Sequence, residues 1–179
     1  PSEDAVRLGV KFSPRGSAFK RGLSQLQPGD QIVASQLAGS FTLPRNRRRK
    51  LAFIAGGIGM TPFRSMLEEL LERGETRPIK VLYGNNRLDE VAYADVLKRA
   101  RDELGIPTWY AVRDATGATS DMKVGFIDAD MIEERIPDYR DRTFYVSGPQ
   151  PMVSATRESL RELGVPAWRI KTDFFPGLA

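Results

Sequence analysis

The sequence predicts an α/β fold: a doubly wound, parallel, five-stranded sheet, preceded by a shorter β-rich stretch. Three observations carry this. Apolar runs alternate with helical stripes from residue 51 onward. The first run, "LAFIA" at 51–55, is apolar throughout, as a central parallel strand covered on both faces requires. Directly behind it, "GGIGMTP" (56–62) concentrates residues of special backbone geometry where a strand should turn into a helix. Repeated β-α units joined by right-handed crossovers produce an open parallel sheet.

Taken in chain order, Val6, Leu8, Val10 and Phe12 alternate with Arg7, Gly9 and Lys11, the period of a half-buried strand. Residues 18–26 set Phe19, Leu23 and Leu26 at helical spacing, and "PGD" (28–30) suits a type II turn. "QIVASQ" and "SFTLP" are expected as short strands. So few strands cannot close a barrel alone, so residues 1–49 are expected to be part of a β domain and residues 50–179 the α/β domain. In the latter, Phe63, Met66, Leu67, Leu70 and Leu71 form a helical stripe ended by Gly74. "IKVLYG" (79–84) is the second strand, followed by a helix from about Asp89 to Leu104 and the strand "TWYAVR" (108–113). Residues 114–126 read as a polar loop and "DADMIEERI" as a short helix with a charged face (Asp128, Glu133, Glu134). "TFYVS" (143–147) is the fourth strand, 150–163 a helix ended by Gly164, and "RIKTDFF" the last strand.

Composition narrows the chemistry. With 41% hydrophobic and 28% charged residues over 179 positions, the chain has enough apolar surface for a core. It has no cysteine and no histidine, which removes disulfides, thiolate metal sites, cysteine nucleophiles, histidine bases and the commonest metal ligand. No metal site is expected, and difficult chemistry has to reside in a bound cofactor. No run approaches the length of a membrane span and no signal peptide is visible, so a cytoplasmic location is expected, or the cytoplasmic face of a membrane in a longer protein. The net charge of +4 is partly local: "RNRRRK" (45–50) holds five basic residues. It reads first as a solvated linker and second as a docking site for an acidic surface. Without interleaved aromatic residues it is a poor nucleic-acid site.

The glycine-rich turn carries the functional reading. Ligands of open α/β sheets bind beyond the strand carboxyl ends, where Gly56, Gly57 and Gly59 let an anion approach main-chain N–H groups. Thr61 suits an N-cap and Pro62 the first helical position, so the free donors of a helix start point at the same place. A pyrophosphate is the expected guest, although G-x-G-x-x-P with Pro62 in third place differs from the common G-x-G-x-x-G.

Joined by "YGNNRLDEVAY" and "SGPQPM" in order, these motifs resemble the nucleotide-binding domain of the ferredoxin-NADP reductase family of flavoprotein reductases. The resemblance covers roughly residues 5–175. It implies hydride transfer between NADPH or NADH and FAD, then single-electron steps to an iron-sulfur or haem acceptor, with a fused upstream domain as a further expectation. It also implies roles. Gly56, Gly57, Gly59, Met60, Thr61 and Pro62 would hold the dinucleotide pyrophosphate; Tyr83, Gly84 and Arg87 would meet the ribose or adenine. Arg113 stands where NADPH-specific members place an arginine, which favours NADPH over NADH, while Val112 and Asp114 depart from that pattern. Gly148, Pro149 and Met152 would shape the nicotinamide end. Ser147 takes the place of the usual cysteine, and Asp173 and Phe175 would lie near the flavin. Gly16, Ser17, Ala18 and Phe19 would contact the flavin phosphates, with Lys20 where a hydroxyl residue is usual. The family's R-x-Y-S flavin motif is not in this chain and is expected upstream of Pro1. A non-catalytic dinucleotide-binding or interaction module is the alternative reading.

Overall fold

The computed structural model describes residues 4–6, 8–10, 12, 17–33 and 39–175, and, for Phe174 and Phe175, the backbone only. After a short helix α1 (Ala18–Gln25), the elements are β1 (Leu51–Gly56), α2 (Thr61–Glu72), β2 (Ile79–Asn85), α3 (Ala94–Leu104), β3 (Thr108–Val112), β4 (Lys123–Val124), α4 (Ala129–Arg135), β5 (Thr143–Pro149), α5 (Gln150–Glu162) and β6 (Ile170–Phe175). The sheet is parallel throughout, in the order β4-β3-β2-β1-β5-β6. β1 is central and wholly buried, as its unbroken apolar run requires. On one face Phe53, Phe63, Met66, Leu67, Val81, Leu97 and Tyr145 pack under α2 and α3; on the other Ile54, Leu82, Ile132, Phe144, Val153 and Leu160 pack under α4 and α5.

The sheet has six strands where five were expected. The sixth, β4, lies inside the polar stretch 114–126, where Lys123 and Val124 pair with Ala111 and Val112 at the sheet edge. A two-residue strand with one exposed residue has no hydrophobic period to reveal it. Asp128, read as part of a charged face, caps α4 by accepting from the Met131 amide at 3.0 Å and pairs with Lys123. α3 begins at Ala94, five residues later than expected, because a short 3₁₀ turn (Leu88–Glu90) and a left-handed Tyr93 intervene.

The strands expected before residue 50 are not formed among the described residues. Val6, Leu8 and Phe12 are exposed rather than alternating in and out, as are Ile32 and Val33. Strand geometry is held by a paired neighbour, and these described residues have none. Phe41 and Leu43 nevertheless pack on the core. Phe41 meets Tyr145 edge-on at 5.1 Å, and the Tyr145 hydroxyl donates to the Thr42 carbonyl at 2.8 Å.

The amino ends of the central strands are clasped by one buried cation. Arg142, 5% exposed, donates through Nη1 to the Leu51 and Pro78 carbonyls at 2.7 and 2.9 Å. Its Nε and Nη2 donate to the two Asp138 oxygens at 2.7 and 2.9 Å. Lys50 and Lys80 also face Asp138. Arg142 foremost holds the Asp138 carboxyl far below the usual carboxylate range. A carboxylate depressed in the folded state adds stability above its unfolded pKa of about 3.9, and that contribution is lost as pH falls through the folded value. Asp138→Asn is therefore expected to cost about 3 kcal/mol at neutral pH, because it leaves Arg142 buried without its counter-ion. Urea unfolding from pH 6 down to pH 2 should show wild type losing stability below about pH 4 more steeply than this variant; parallel curves would contradict it.

Candidate functional site at the switch point of the sheet

The strand order reverses between β1 and β5: β2, β3 and β4 lie to one side of β1, and β5 and β6 to the other. The crevice outside the carboxyl ends of two such strands is where open α/β sheets receive ligands. Here it is bounded by Gly56 at the end of β1 and by Gly148 and Pro149 at the end of β5. The two turns touch closely. A Cβ on Gly56 would lie 2.8 Å from Met152 Sδ and 3.2 Å from Pro149 Cδ; one on Gly148 would lie 3.2 Å from the Gly56 main chain. Close approach of the two turns thus explains both glycines.

The remaining glycines of the first turn do different work. Gly57 has φ +51°, and the space where its side chain would project is open. Gly59 is buried, and a Cβ there would fall 2.4 Å from the Ser147 carbonyl oxygen and 2.6 Å from Gly148 Cα. Gly59 thus packs the turn against β5, whereas Gly57 leaves main chain accessible. Residues 57–60 already wind as a 3₁₀ turn, so Thr61 is not the N-cap expected of it. It is the first residue of α2, and its hydroxyl donates back to the Ile58 carbonyl at 2.7 Å. Pro62 follows within the first turn, where its missing N–H costs nothing. Met60 is fully buried beneath the turn.

Neither helical start at the crevice has a side-chain cap: the turn beginning at Gly57 and α5 beginning at Gln150 both lack one. Leading N–H groups of a helical segment have no intrahelical partner and carry the positive end of its dipole. Two such starts follow the carboxyl ends of β1 and β5, and the space in front of Gly57 is clear of side chains; helical starts of this kind suit an anion.

Tyr83 corrects an expectation. It is fully buried one turn of pleat before the end of β2, so its ring is not exposed to a passing ribose. Its hydroxyl instead donates to the Gly57 carbonyl at 2.9 Å and accepts from the Ala92 amide at 3.2 Å. Burial pushes this phenol up to about 12, with the Ala92 amide working the other way. It stays neutral and tethers the glycine turn from below. Gly84 pairs with Gly56 in the sheet and is half-buried.

Beyond β2 and β3, Arg87, Leu88, Asp89, Asp114 and Thr116 line a surface cavity of about 350 Å³. The Arg87 guanidinium is already engaged twice by Asp89, at 2.9 and 3.0 Å. Arg87 holds the Asp89 carboxyl below its ordinary range, and the Thr116 hydroxyl does the same for Asp114. Arg113 turns away from the cavity: its guanidinium lies 5.2 Å over the Phe126 ring and reaches Asn86 Oδ1 at 3.5 Å.

Ser147 is fully buried with no hydrogen-bond partner for its hydroxyl, and it pairs in register with Ala55 of β1 and Asp173 of β6. The structure thus brings Ser147 and Asp173 together. Phe175 pairs through its backbone with Pro149, while its side chain lies outside the described residues. Gly16 also lies outside them. Ser17 caps α1 by accepting from the Lys20 amide at 3.3 Å, and Ala18 and Phe19 are exposed on its first turn. Sequence reasoning missed Asn85, which is 7% exposed at the end of β2 with neither amide atom hydrogen-bonded. It also missed Asp89 and Tyr93. The residue types give no signal for any of these: Asn85 closes a strand, Asp89 lies in the short 3₁₀ turn and Tyr93 precedes α3. No helix among the described residues is long and apolar enough to cross a membrane.

Comparison with known proteins converges on the same reading. A family model described as the oxidoreductase NAD-binding domain matches residues 53–158. The flavohemoprotein of Oceanobacillus iheyensis is 28% identical over 98% of this chain and 44% of its own length. The reductase component of propane 2-monooxygenase from Rhodococcus jostii is 32% identical over 95% of this chain and 47% of its own length. The chain therefore spans less than half the length of these relatives. Among solved structures, the flavohem-like FAD/NAD binding domain of nitric oxide dioxygenase from Vibrio cholerae O1 biovar El Tor superposes with a TM-score of 0.67 at 25% identity, covering 77% of this chain and 55% of that one. Its switch-point crevice, its parallel sheet and a family match across more than half its length place this chain in the oxidoreductase NAD-binding domain family.

Proposed function

We propose that this chain is the dinucleotide-binding half of a flavoprotein reductase and that it takes NADH in preference to NADPH. The observation that carries the first part is the pair of uncapped helical starts that follow the carboxyl ends of β1 and β5, with open space at Gly57. Main-chain N–H groups of residues 57–60 and of the α5 start would hold the pyrophosphate. Tyr83, from beneath, keeps the Gly57 carbonyl turned away from that anion. Met152, packed against the positions of Gly56 and Gly148, would wall off water at the nicotinamide end. A bound nicotinamide would supply the hydride, and a flavin the route from two electrons to single-electron steps. The residues present need only orient rings and exclude water, which suits a chain with neither histidine nor cysteine.

The preference for NADH rests on the cavity beside β2. It presents two ionised carboxylates, Asp89 and Asp114, and an arginine already committed to one of them. A carboxylate accepts from a ribose hydroxyl and repels a phosphate, so the cavity suits an unphosphorylated ribose. Arg113, expected from the sequence to favour NADPH, is stacked on Phe126 instead of lining this cavity, which supports the same preference. Calorimetric titration of the 179-residue chain is expected to give NADH at least about tenfold tighter binding than NADPH, a gap of about 1.4 kcal/mol or more. The double variant Asp89→Ser, Asp114→Ser should shrink that gap by freeing Arg87. Equal affinity in wild type would contradict the preference, and no binding of either would contradict the site.

For the rest of the protein we carry the reading further. Residues 1–49 would belong to the flavin half, with the start of α1 at Ser17, Ala18 and Phe19 against the flavin phosphates. Ser147, Asp173 and Phe175 would border the ring-to-ring contact. The acceptor would be an iron-sulfur or haem protein or domain, fused or separate, on the cytoplasmic side. The relatives named as a flavohemoprotein and a monooxygenase reductase component support that class of acceptor. "RNRRRK" is not its docking site near the redox centre, because it precedes β1, about 20 Å of strand from the carboxyl ends.

A further inference from the structure

The segment before α1 is exposed at Val6, Leu8 and Phe12, yet Gly9 and Val10 are half-buried. The reason is a contact at the mouth of the crevice. A side chain at Gly9 would begin 2.9 Å from the Tyr93 phenol oxygen, 3.0 Å from Thr61 Oγ1 and 3.1 Å from Ile58 Cδ1. The chain at Gly9 therefore lies directly against side chains at the start of α2, which would have to shift for a larger residue. Tyr93 reaches it from an unusual conformation, φ 58° and ψ 36°, and is the one non-glycine residue among those described with a positive φ. Such conformations in bulky residues persist where surrounding structure imposes them and cluster at functional sites.

Tyr93 is also connected to the anion site. The Ala92 amide beside it donates to the Tyr83 hydroxyl, which in turn donates to the Gly57 carbonyl. One short path therefore runs from the glycine turn through Tyr83 and Ala92 to Tyr93 and out to Gly9.

We propose that Tyr93 is a positioning residue that, through Gly9, seats the N-terminal segment on the start of α2 and so sets how the flavin half faces the dinucleotide site. The orientation of the two halves rests on the function proposed above, whereas the seating itself does not. In nicotinamide–flavin chemistry ring alignment decides the rate, and misplacement by about 1 Å can cost about a hundredfold, so a fixed contact between the halves is where that alignment would be held.

The natural absence of cysteine makes a direct test simple. In a disulfide the Cβ of one partner lies about 3 Å from the far sulfur, the separation between a Gly9 Cβ and Thr61 Oγ1. The double variant Gly9→Cys, Thr61→Cys should therefore close an intramolecular disulfide under mild oxidation. Adding Tyr93→Phe should leave that rate within about twofold, and adding Tyr93→Gly should slow it at least about tenfold. Glycine accepts the left-handed conformation without steric cost, which offsets part of the loss of the ring's packing on the core, so Tyr93→Gly should lower the melting temperature by no more than about 5 °C. Failure of the pair to crosslink, or equal rates with Tyr93→Gly, overturns the proposal. So does slower crosslinking accompanied by a fall in melting temperature larger than about 5 °C, which would mark Tyr93 as merely structural. NADH titration of the unmodified chain separates the two readings: failure there removes the proposed function and leaves the crosslinking pattern unchanged.

Discussion

Valine at position 59 is expected to unfold the domain. From sequence alone, Gly59→Val reads as a loss of dinucleotide affinity in an intact fold, because a glycine of the phosphate turn should face the ligand. The structure corrects this: the missing side chain of Gly59 faces β5, and even a Cβ would sit 2.4 Å from the Ser147 carbonyl oxygen and 2.6 Å from Gly148 Cα. Those atoms are main chain in the buried part of β5, so no rotamer change can relieve the clash. Overpacking of this kind costs about 3 kcal/mol or more, a large part of the stability of a small domain. Urea unfolding followed by circular dichroism is expected to show a transition displaced to low denaturant or already lost in buffer. A wild-type transition would mean that the two turns can separate freely.

Gly57→Val is expected to do the opposite. Its φ of +51° imposes a backbone penalty of about 1–2 kcal/mol on any branched residue, but nothing lies within 4 Å of the new Cβ, so the fold should survive. The valine methyls would instead project into the open space in front of the helical start. A ligand anion held by those N–H groups would be pushed out of hydrogen-bond range, and NADH affinity should fall about a hundredfold, or about 2.7 kcal/mol. Titration calorimetry on the folded variant measures this. Two glycines two residues apart are thus assigned different tasks, one for packing and one for access, and the pair of variants separates them.

How much of this was legible in the sequence depends on how far each signal reaches. β1 could be read because six consecutive positions are all buried, and α2 because its stripe faces a single layer. Gly74 and Gly164 were recognisable as stops and do adopt φ of +57° and +77°. The short β4 could not be read, since its stability comes from β3 beside it rather than from its own two residues. Strands expected at 6–12 and 31–36 are not formed at the described residues among them for the converse reason: the pattern is present, but among the described residues no partner strand covers it. At the site, the motif located the crevice correctly, yet it could not divide labour among its members. Whether a glycine exists for a ligand or for a neighbouring turn is decided by what lies within 3 Å, and at Gly59 that neighbour comes from a strand some ninety residues later. Likewise Tyr83 marks the motif but works from beneath it, and Arg113 lies over Phe126, a residue at the end of the stretch read only as a polar loop.

A crystal of the 179-residue chain soaked with NADH tests the central claim most directly. The pyrophosphate should appear between the turn at 57–60 and the start of α5, within hydrogen-bond distance of main-chain N–H groups, with the adenosine ribose against Asp89 or Asp114. A dinucleotide bound away from the β1/β5 crevice, or a crevice still empty at saturating ligand, would contradict it.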